Sequence, residues 1–591
     1  NTAIGYEALT ANTTGTSNVA VGLQALAANV TGGYNTAIGI DALTANTTSE
    51  NTACGFQSLM ANTSGAYNTG IGGNALKENT TASNNTAVGD DCLRANTTGG
   101  SNTAVGQAAL TANTTGAQNT AVGGQALETN TTGADNTAVG QGALELSTTA
   151  SYNTAIGKNS LTATTTGHSN TALGTDALVA NTTGANNIAL GRSAAYGITT
   201  GNYNTALGVN TLYNNNNSSN TAVGYSALGW SSGASNTAVG ANSAEATTSG
   251  ENNTAVGQGS LATNSTGSNN TALGKAALYS NTTGEDNIAI GEQALENNTT
   301  AFYNVAVGSQ AMEANTTADR NVAIGHQALT TNQVGDRNTA VGYRALTTHA
   351  PASGADTQNV AVGYAALEAD TTGKNNTGVG AYALQANTTA DYNVALGYAA
   401  MAVNTTGAQN VAVGGLALDA NTTGYENVAI GYRALTANTT AAQNVAVGWY
   451  ALDANTTGKR NTAVGWSALL SVTTGDFNTA LGAYAGDSIT TADHNTFLGY
   501  DCGPQCSTGT FNVGVGGGAI HDTTTGSYNT ALGYATLYNN TDTGECTAIG
   551  YLALQDSTAD HNTAVGSRAG EETSTGASNT FIGSNCGREN T

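Results

Sequence analysis

The chain has 591 residues, of which 77 are glycine and two are proline, and its formal net charge is −24. Nucleic acids and anionic membrane surfaces are bound by clustered basic side chains, so 14 Lys and Arg against 38 Asp and Glu argue against both as partners. The sequence contains no run of about 18 uninterrupted apolar residues, so no segment is expected to insert in a membrane.

A five-residue pattern, Asn-Thr-Ala-aliphatic-Gly, organises the chain. It begins at residues 1–5, occurs 35 times with small variations, ends at residues 579–583, and has a mean spacing of 17. Such a fixed period predicts one solenoid or array, although the length alone would suggest several globular domains. Because the chain starts in phase with its repeat and without Met, we interpret it as a window from a longer polypeptide.

Each unit, numbered from its Asn, contains two short apolar runs. Position 2 is usually Thr or Val, position 3 Ala, position 4 aliphatic and position 5 Gly; Ala, Leu and Ala recur at positions 8, 9 and 11. Asn, Thr, Thr and Gly follow at positions 12–15. Runs this short and β-branched favour strands. The sequence therefore predicts an all-β parallel β-solenoid, or β-roll, of about 35 coils with two short strands per coil. A three-sided left-handed helix fits a 17-residue period less well.

Stacking must provide the stability, because one coil buries too little apolar surface to fold alone. With about 4.8 Å per coil, 35 coils would extend over roughly 170 Å. Asn at position 1 is expected to form an amide ladder. Gly at position 5 is expected to have a positive φ or to make a contact too close for a Cβ.

Two units indicate which positions share an interior. Phe497 and Phe581 replace Ala at position 3, and both units have Gly at position 9 where Leu is usual. This exchange of volume predicts that positions 3 and 9 face inward and that positions 2 and 4 face outward. A strand that is apolar on both faces needs a second layer, which we take to be other copies of the chain, in a homotrimer or another fibre assembly. Packing of positions 2 and 4 inside a lone solenoid is the alternative.

Along the chain, residues 1–477 are predicted to form regular solenoid repeats with a loop insertion near 347–354, and residues 478–591 to form continuing, less regular repeats. Both prolines, Pro351 and Pro504, lie where the repeat is irregular. Cys502 and Cys506 flank Pro504 and are candidates for a local disulfide. The cysteines show no zinc-binding pattern.

The Asn-Thr-Thr turn matches the acceptor motif for N-glycosylation. Alternatively, its Asn and Thr side chains stabilise the turn through bonds to the backbone. The candidate acceptors are Asn12, Asn29, Asn46, Asn62, Asn79, Asn96, Asn113, Asn130, Asn181, Asn264, Asn281, Asn298, Asn315, Asn387, Asn404, Asn421, Asn438 and Asn455.

Two other rows of side chains are candidate binding surfaces. Stacked threonines of the turn, such as Thr13 and Thr14, could bind ice, and recurring Tyr and Trp at positions 6 and 17 could bind sugars or pack along an edge. The six His are scattered, and none has an evident nucleophile or metal set beside it. We therefore predict no enzyme activity, no catalytic or metal site and no cofactor.

The repeat, as in residues 102–106 followed by Ala109 and Leu110, resembles the head repeats of trimeric autotransporter adhesins. It resembles still more the long repeats of bacterial and phage tail-fibre-type proteins. This resemblance implies a left-handed parallel β-roll, usually trimeric, that is displayed on a cell or virion surface for attachment. We therefore expect an extracellular structural or adhesive fibre that associates with itself and contacts surface glycans. The alternative is a carbohydrate- or ice-binding solenoid module.

Overall fold

The computed structural model describes residues 1–353 and 355–589. Within them the chain is an all-β parallel β-solenoid with about 17 residues per turn and no helix, as the repeat predicts. Gly354, which belongs to the predicted loop insertion, and the last two residues, Asn590 and Thr591, lie outside the described residues. The chain forms two compact units, Asn1–Glu292 (unit 1) and Gln293–Thr591 (unit 2).

Unit 1 contains 18 strands, one in each coil. They are β1 (Thr2–Ile4), β2 (Val19–Val21), β3 (Thr36–Ile38), β4 (Thr52–Cys54), β5 (Thr69–Ile71), β6 (Thr86–Val88), β7 (Thr103–Val105), β8 (Thr120–Val122), β9 (Thr137–Val139), β10 (Thr154–Ile156), β11 (Thr171–Leu173), β12 (Ile188–Leu190), β13 (Thr205–Leu207), β14 (Thr221–Val223), β15 (Thr237–Val239), β16 (Thr254–Val256), β17 (Thr271–Leu273) and β18 (Ile288–Ile290).

Unit 2 contains 17 strands that belong to coils and two, β21 and β23, that form a separate pair. They are β19 (Val305–Val307), β20 (Val322–Ile324), β21 (Gly335–Asp336), β22 (Thr339–Val341), β23 (Ala355–Asp356), β24 (Val360–Val362), β25 (Thr377–Val379), β26 (Val394–Leu396), β27 (Val411–Val413), β28 (Val428–Ile430), β29 (Val445–Val447), β30 (Thr462–Val464), β31 (Thr479–Leu481), β32 (Thr496–Leu498), β33 (Val513–Val515), β34 (Thr530–Leu532), β35 (Thr547–Ile549), β36 (Thr563–Val565) and β37 (Thr580–Ile582).

Within each unit, coil strands pair in parallel and in register, so each repeat position lies above its equivalent. In unit 1, Thr2 pairs with Val19 and Ala3 with Ala20. In unit 2, strands β26 and β27 pair in the same register. Side chains of one repeat position therefore form a column, which is the geometry that a repeated sequence can stabilise along its whole length.

The predicted second strand of each coil is not a strand. In the second coil, Gln24 at position 7 and Leu26 at position 9 have φ of 53° and 57°, in the left-handed region. The backbone nevertheless bonds from coil to coil, since the Gln24 N–H donates to the Tyr6 carbonyl at 2.9 Å and the Leu26 N–H to the Ala42 carbonyl at 2.9 Å. The segment therefore keeps the ladder of a solenoid side with a different backbone, because alternate left-handed residues cannot form a pleated strand.

The interior contains the side chains of positions 3, 8 and 9, as the two Phe units predict. Ala20, Ala25 and Leu26 of the second coil are completely buried. Where Phe497 occupies position 3, a Cβ at Gly503 would lie 2.7 Å from its ring and one at Gly486 would lie 3.0 Å from it. One aromatic ring therefore fills the space that two leucines fill in regular coils.

The position-5 glycine is required for both reasons predicted from the sequence. Gly22 has a φ of 137°, and a Cβ on it would collide with the carbonyl group of Gly39, the equivalent residue of the next coil. The same arrangement recurs along the column. No other residue combines this backbone with so close an approach between coils.

Two columns of buried asparagines connect the coils. At position 1, the Asn18 side-chain Oδ1 accepts the backbone N–H of Asn35 at 2.9 Å, and its Nδ2 donates across the coil to the Gly32 carbonyl at 2.9 Å. This confirms the predicted amide ladder. At position 12, the Nδ2 of Asn96 donates to Asn79 Oδ1 and to the Gly99 carbonyl, both at 2.9 Å. Position 12, which the sequence predicts to lie in a turn, thus forms a second ladder.

The insertion near 347–354 is partly internal. His349 occupies the position-12 place of its coil and is completely buried, as is Asp370 at position 12 of the next coil. Beyond the corner, β21 and β23 pair in parallel, Gly335 with Ala355 and Asp336 with Asp356. The coil that contains the insertion thus has a second, short parallel ladder with the coil before it.

Candidate functional surface

Positions 2 and 4 of the strands face solvent, so the interior alternative for them is wrong. In β3, for example, Thr36 is half-buried, Ala37 is buried and Ile38 is 42% exposed. The same alternation holds in neighbouring coils of both units. The outer side of the strand column therefore presents branched side chains at a regular spacing in each unit.

This outer side is most apolar in unit 2. Position 2 is Thr in 15 of the 18 strands of unit 1, but Val in seven of the nine coil strands from β19 to β29. The same part of unit 2 has aromatic rings at position 6 or 7. We call the side chains at positions 2, 4 and 6 of the coils that contain β20, β22 and β24–β29 the apolar face. Its position-6 aromatic residues are His326, Tyr343, Tyr364, Tyr398, Tyr432 and Trp449.

The rings along the apolar face contact one another between coils. Tyr343 stacks on Tyr364 with centroids 5.2 Å apart and planes at 12°, and Tyr364 meets Tyr382 edge to face at 5.3 Å. Further along, Tyr432 and Trp449 lie edge to face at 5.4 Å. All of these position-6 Tyr and Trp side chains remain exposed. Large exposed aromatic surface makes these rings a candidate contact surface.

A second aromatic column occupies position 17 of unit 2. The rings of Phe477, His494, Phe511 and Tyr528 stack in succession with centroids 4.8, 4.7 and 5.1 Å apart. The Arg460 guanidinium lies 5.2 Å from the Phe477 centroid and caps one end. Tyr34, Tyr67 and Tyr203 are exposed at the same position in unit 1. The predicted aromatic columns therefore exist, and their rings contact one another in unit 2.

The candidate N-glycosylation acceptors are mostly interior. Asn12 of the first coil is half-buried, while each of the other 17 candidates is completely buried. In Asn421, for example, Nδ2 donates to Asn404 Oδ1 at 2.7 Å and to the Gly424 carbonyl at 3.0 Å. A glycan on Nδ2 would replace one of its two N–H donors, so one of these bonds would be lost, and the sugar could not fit inside the coil. Modification of these residues is therefore incompatible with the folded ladder.

Threonines next to these asparagines divide into two rows. At position 13, hydroxyls donate to the next coil, as Thr405 Oγ1 does to the Thr422 carbonyl at 2.9 Å. The position-14 hydroxyls, such as that of Thr406, lie at the exposed edge of the turn. The position-13 hydroxyls already form hydrogen bonds between coils. Only the position-14 hydroxyls therefore remain available to bind ice, and not both rows as the sequence suggests.

No disulfide joins Cys502 and Cys506, which corrects the predicted bond. Both are free, buried thiols, and burial raises the pKa of each to about 12. Cys502 occupies the small-residue place at position 8, whereas Cys506 occupies position 12, where its Sγ donates to the Gly509 carbonyl at 3.4 Å. Each side chain thus has its own place in the regular coil.

The most unusual polar contact is a buried His–Asp hydrogen bond inside the position-12 ladder. His349 Nδ1 lies 2.7 Å from Asp370 Oδ2, and Asn387 Nδ2 donates to Asp370 Oδ1 at 2.6 Å. Burial raises the pKa of the Asp370 carboxyl, although its bonds to His349 and Asn387 oppose this. The pair is closed to solvent and replaces two amides of a structural ladder, so we assign it to folding.

Neither a known family model nor a curated protein matches this chain. Among residues 1–353 and 355–589, no helix has the length and apolar character needed to cross a membrane. The same residues contain no cluster of three or more His, Cys, Asp or Glu arranged to hold a metal ion. The exposed columns are the candidate functional surface of the described residues.

Proposed function

We propose that this chain is part of an extracellular structural fibre, on a cell or virion surface, that attaches through its outward side chains. The observation that carries the proposal is the apolar face of unit 2, where an aliphatic side chain recurs at position 4 of every coil and an exposed aromatic side chain at position 6 of most coils. A regular stack of coils supports load along its length, because each coil is bonded to the next by backbone and amide ladders.

Self-association is the first role that we assign to the apolar face. A soluble monomer seldom exposes more than a few hundred Å² of continuous apolar surface. A second copy of the chain offers columns with the same repeat spacing, so each Val or Ile can meet an equivalent side chain without loss of register. We therefore propose a homotrimer or another parallel fibre assembly.

Light scattering on the purified chain tests this proposal. A mass of two or more chains at micromolar concentration is the expected result. A stable monomer with native circular dichroism would contradict the proposal, because the apolar face would then be tolerated in water.

A second candidate function is carbohydrate binding, which the exposed rings of unit 2 favour. Trp449 and Trp466 are 55% and 56% exposed and lie at position 6 of consecutive coils. Flat aromatic side chains beside polar groups can pack against the C–H groups on one side of a sugar ring. Glycan-array binding that is lost in Trp449→Ala with Trp466→Ala, and kept in the control Tyr34→Ala, would support this function. Unchanged binding in the double variant would oppose it, and a thermal-hysteresis assay tests the ice-binding alternative.

A further inference from the structure

Unit 1 has a pocket of about 410 Å³ on its surface. It crosses the three consecutive coils that begin at Asn187, Asn204 and Asn220. Its volume lies within the range of about 300–1,000 Å³ that is usual for small-molecule sites.

The pocket exists because one coil lacks a side chain at position 10. Tyr196 and Tyr213 occupy this position in the first two coils, whereas the third has Gly229 there. The next residue, Trp230 at position 11, is held by its backbone N–H, which donates to the Glu245 carbonyl at 2.8 Å. The missing side chain leaves an open space beside Tyr213 and Trp230.

Two aromatic rings form the walls of this space. Tyr196 stacks on Tyr213 with centroids 4.9 Å apart and planes at 12°, which covers one face of Tyr213. Trp230 meets Tyr213 at 5.8 Å with planes at 60°, and 58% of Trp230 is exposed. The tilted pair makes an apolar corner that a flat, ring-shaped ligand can enter from solvent.

The polar side of the pocket contains Arg192, Asn210 and Ser226. The chain has only 14 Lys and Arg and a net charge of −24, so basic side chains are scarce in it. Several other basic side chains of the described residues form ion pairs with carboxylates, but Arg192 forms none with a described residue. Its guanidinium is thus open to a carboxylate ligand, which it can bind in bidentate fashion.

We propose that this pocket binds an acidic sugar of the uronic acid class. Its pyranose ring would lie against Tyr213 and Trp230, its carboxylate on Arg192, and its hydroxyls beside Asn210 and Ser226. The two aromatic rings favour a ligand whose ring has C–H groups on one side, and the guanidinium favours a carboxylate. The amide and hydroxyl groups can form hydrogen bonds with the hydroxyls of the sugar. The residues that line the site are not part of the apolar face on which the proposed self-association rests.

Isothermal titration of the full chain with glucuronate and with glucose tests the proposal. Glucuronate is expected to bind at least about tenfold more tightly, because a hydrogen bond to a charged group is worth more than a neutral one. An oligomer of glucuronate distinguishes the source of the ligand: tighter binding than the monomer indicates a polysaccharide, and equal binding indicates a free sugar. Equal binding of glucose and glucuronate, or binding of neither, would overturn the proposal.

Two variants locate the site. Arg192→Gln should reduce glucuronate binding to the level of glucose, while Lys158→Gln, which removes an exposed cation from position 6 of another coil, should leave it unchanged. Gly229→Leu should abolish binding of both sugars by filling the space. Gly229 has no left-handed φ, and a Cβ there would meet the Ser226 carbonyl oxygen at 3.1 Å, so a small shift accommodates it. Full binding by Gly229→Leu with a native circular dichroism spectrum would place the ligand elsewhere.

Discussion

Around Phe497, a larger side chain at position 3 fills the space that leucine side chains at position 9 fill in regular coils. The residue at position 3 therefore limits which residue can occupy position 9. Phe497→Ala should destabilise its coils by about 3–5 kcal/mol, because the ring leaves a cavity between two glycines. Adding Gly486→Leu and Gly503→Leu should recover most of this loss by restoring the regular repeat. Gly503 has a φ of 62°, close to the 50° of Leu469 at the same position of a regular coil, so leucine fits its backbone.

Hydrogen exchange of the amides in these coils is the suitable measurement, since a repeat protein need not unfold in one step. Gly503→Leu alone serves as the control and should be destabilising, because the ring still occupies the space. If the triple variant exchanged as fast as Phe497→Ala alone, the proposed exchange of volume would be wrong.

The cysteines should separate into two classes by reactivity. Cys54 and Cys586 are exposed, whereas Cys92, Cys502, Cys506 and Cys546 are buried. Burial raises the pKa of the Cys546 thiol, and it raises the pKa of each of the other three buried thiols to about 12. The thiolate is the reactive form, so the native chain should be alkylated at the two exposed cysteines and protected at the four buried ones. Peptide mapping after iodoacetamide treatment measures this. A non-reducing digest that recovers residues 502 and 506 as a linked pair would instead support the disulfide.

Within the position-12 ladder, the His349–Asp370 pair should make folding depend on pH. Because burial raises the pKa of Asp370, the folded chain holds this proton more tightly than the unfolded chain does. Stability from this group is therefore present below the ordinary Asp pKa of about 3.9 and is lost as pH rises through the raised value. The nearby Asp391 adds to the increase, and Asn387 opposes it.

Replacing the pair by amides, in His349→Asn with Asp370→Asn, should remove this dependence and continue the ladder. We expect the double variant to be as stable as the native chain or more stable by about 1–4 kcal/mol at neutral pH, as for other buried pairs replaced by uncharged groups. His349→Leu alone should cost about 3–5 kcal/mol, because it leaves a buried carboxylate without its partner. Hydrogen exchange at several pH values gives both results, and a pH-independent difference between native and double variant would contradict the assignment.

The strand and its orientation could be predicted from the sequence, but the second side of the coil could not. Position 2 is β-branched and position 5 is always Gly, and both signals have local causes in strand preference and close backbone approach. Leucine at position 9 gives no local sign of its left-handed backbone, because that conformation is stabilised only by bonds to the neighbouring coil, as at Leu26. The predicted second strand failed for this reason.

The functional surface, like the coil, could be predicted only in part. The aromatic columns follow directly from the register of the repeat, so their positions could be deduced. The position-12 ladder could not, since Asn in a turn motif usually faces solvent, and burial of Asn96 depends on bonds to the coils on either side. The pocket beside Trp230 could not be predicted from the repeat either, because it depends on Gly229, a residue that departs from the repeat in one coil.

At the scale of the whole molecule, the apolar face should stabilise the association between chains but should not be needed for the folding of the coils within a chain. Val413→Asp with Val447→Asp places two carboxylates on this face, at position 4 of strands β27 and β29. Neither side chain contributes to the interior, since position 3 and not position 4 is buried. Repulsion and desolvation across a shared face should therefore dissociate the assembly while each coil keeps its ladders.

Light scattering and circular dichroism on the same samples separate the two effects. The double variant should have the mass of one chain and an unchanged β-type spectrum, and Thr406→Asp, which adds a carboxylate at the exposed turn position 14, should keep the native mass. Val105→Asp with Val122→Asp makes the same change in unit 1, where position 2 is mostly Thr, and should weaken association less. Loss of the β-type spectrum in Val413→Asp with Val447→Asp before any loss of mass would mean that these side chains stabilise the coil itself and that the face is not an interface between chains.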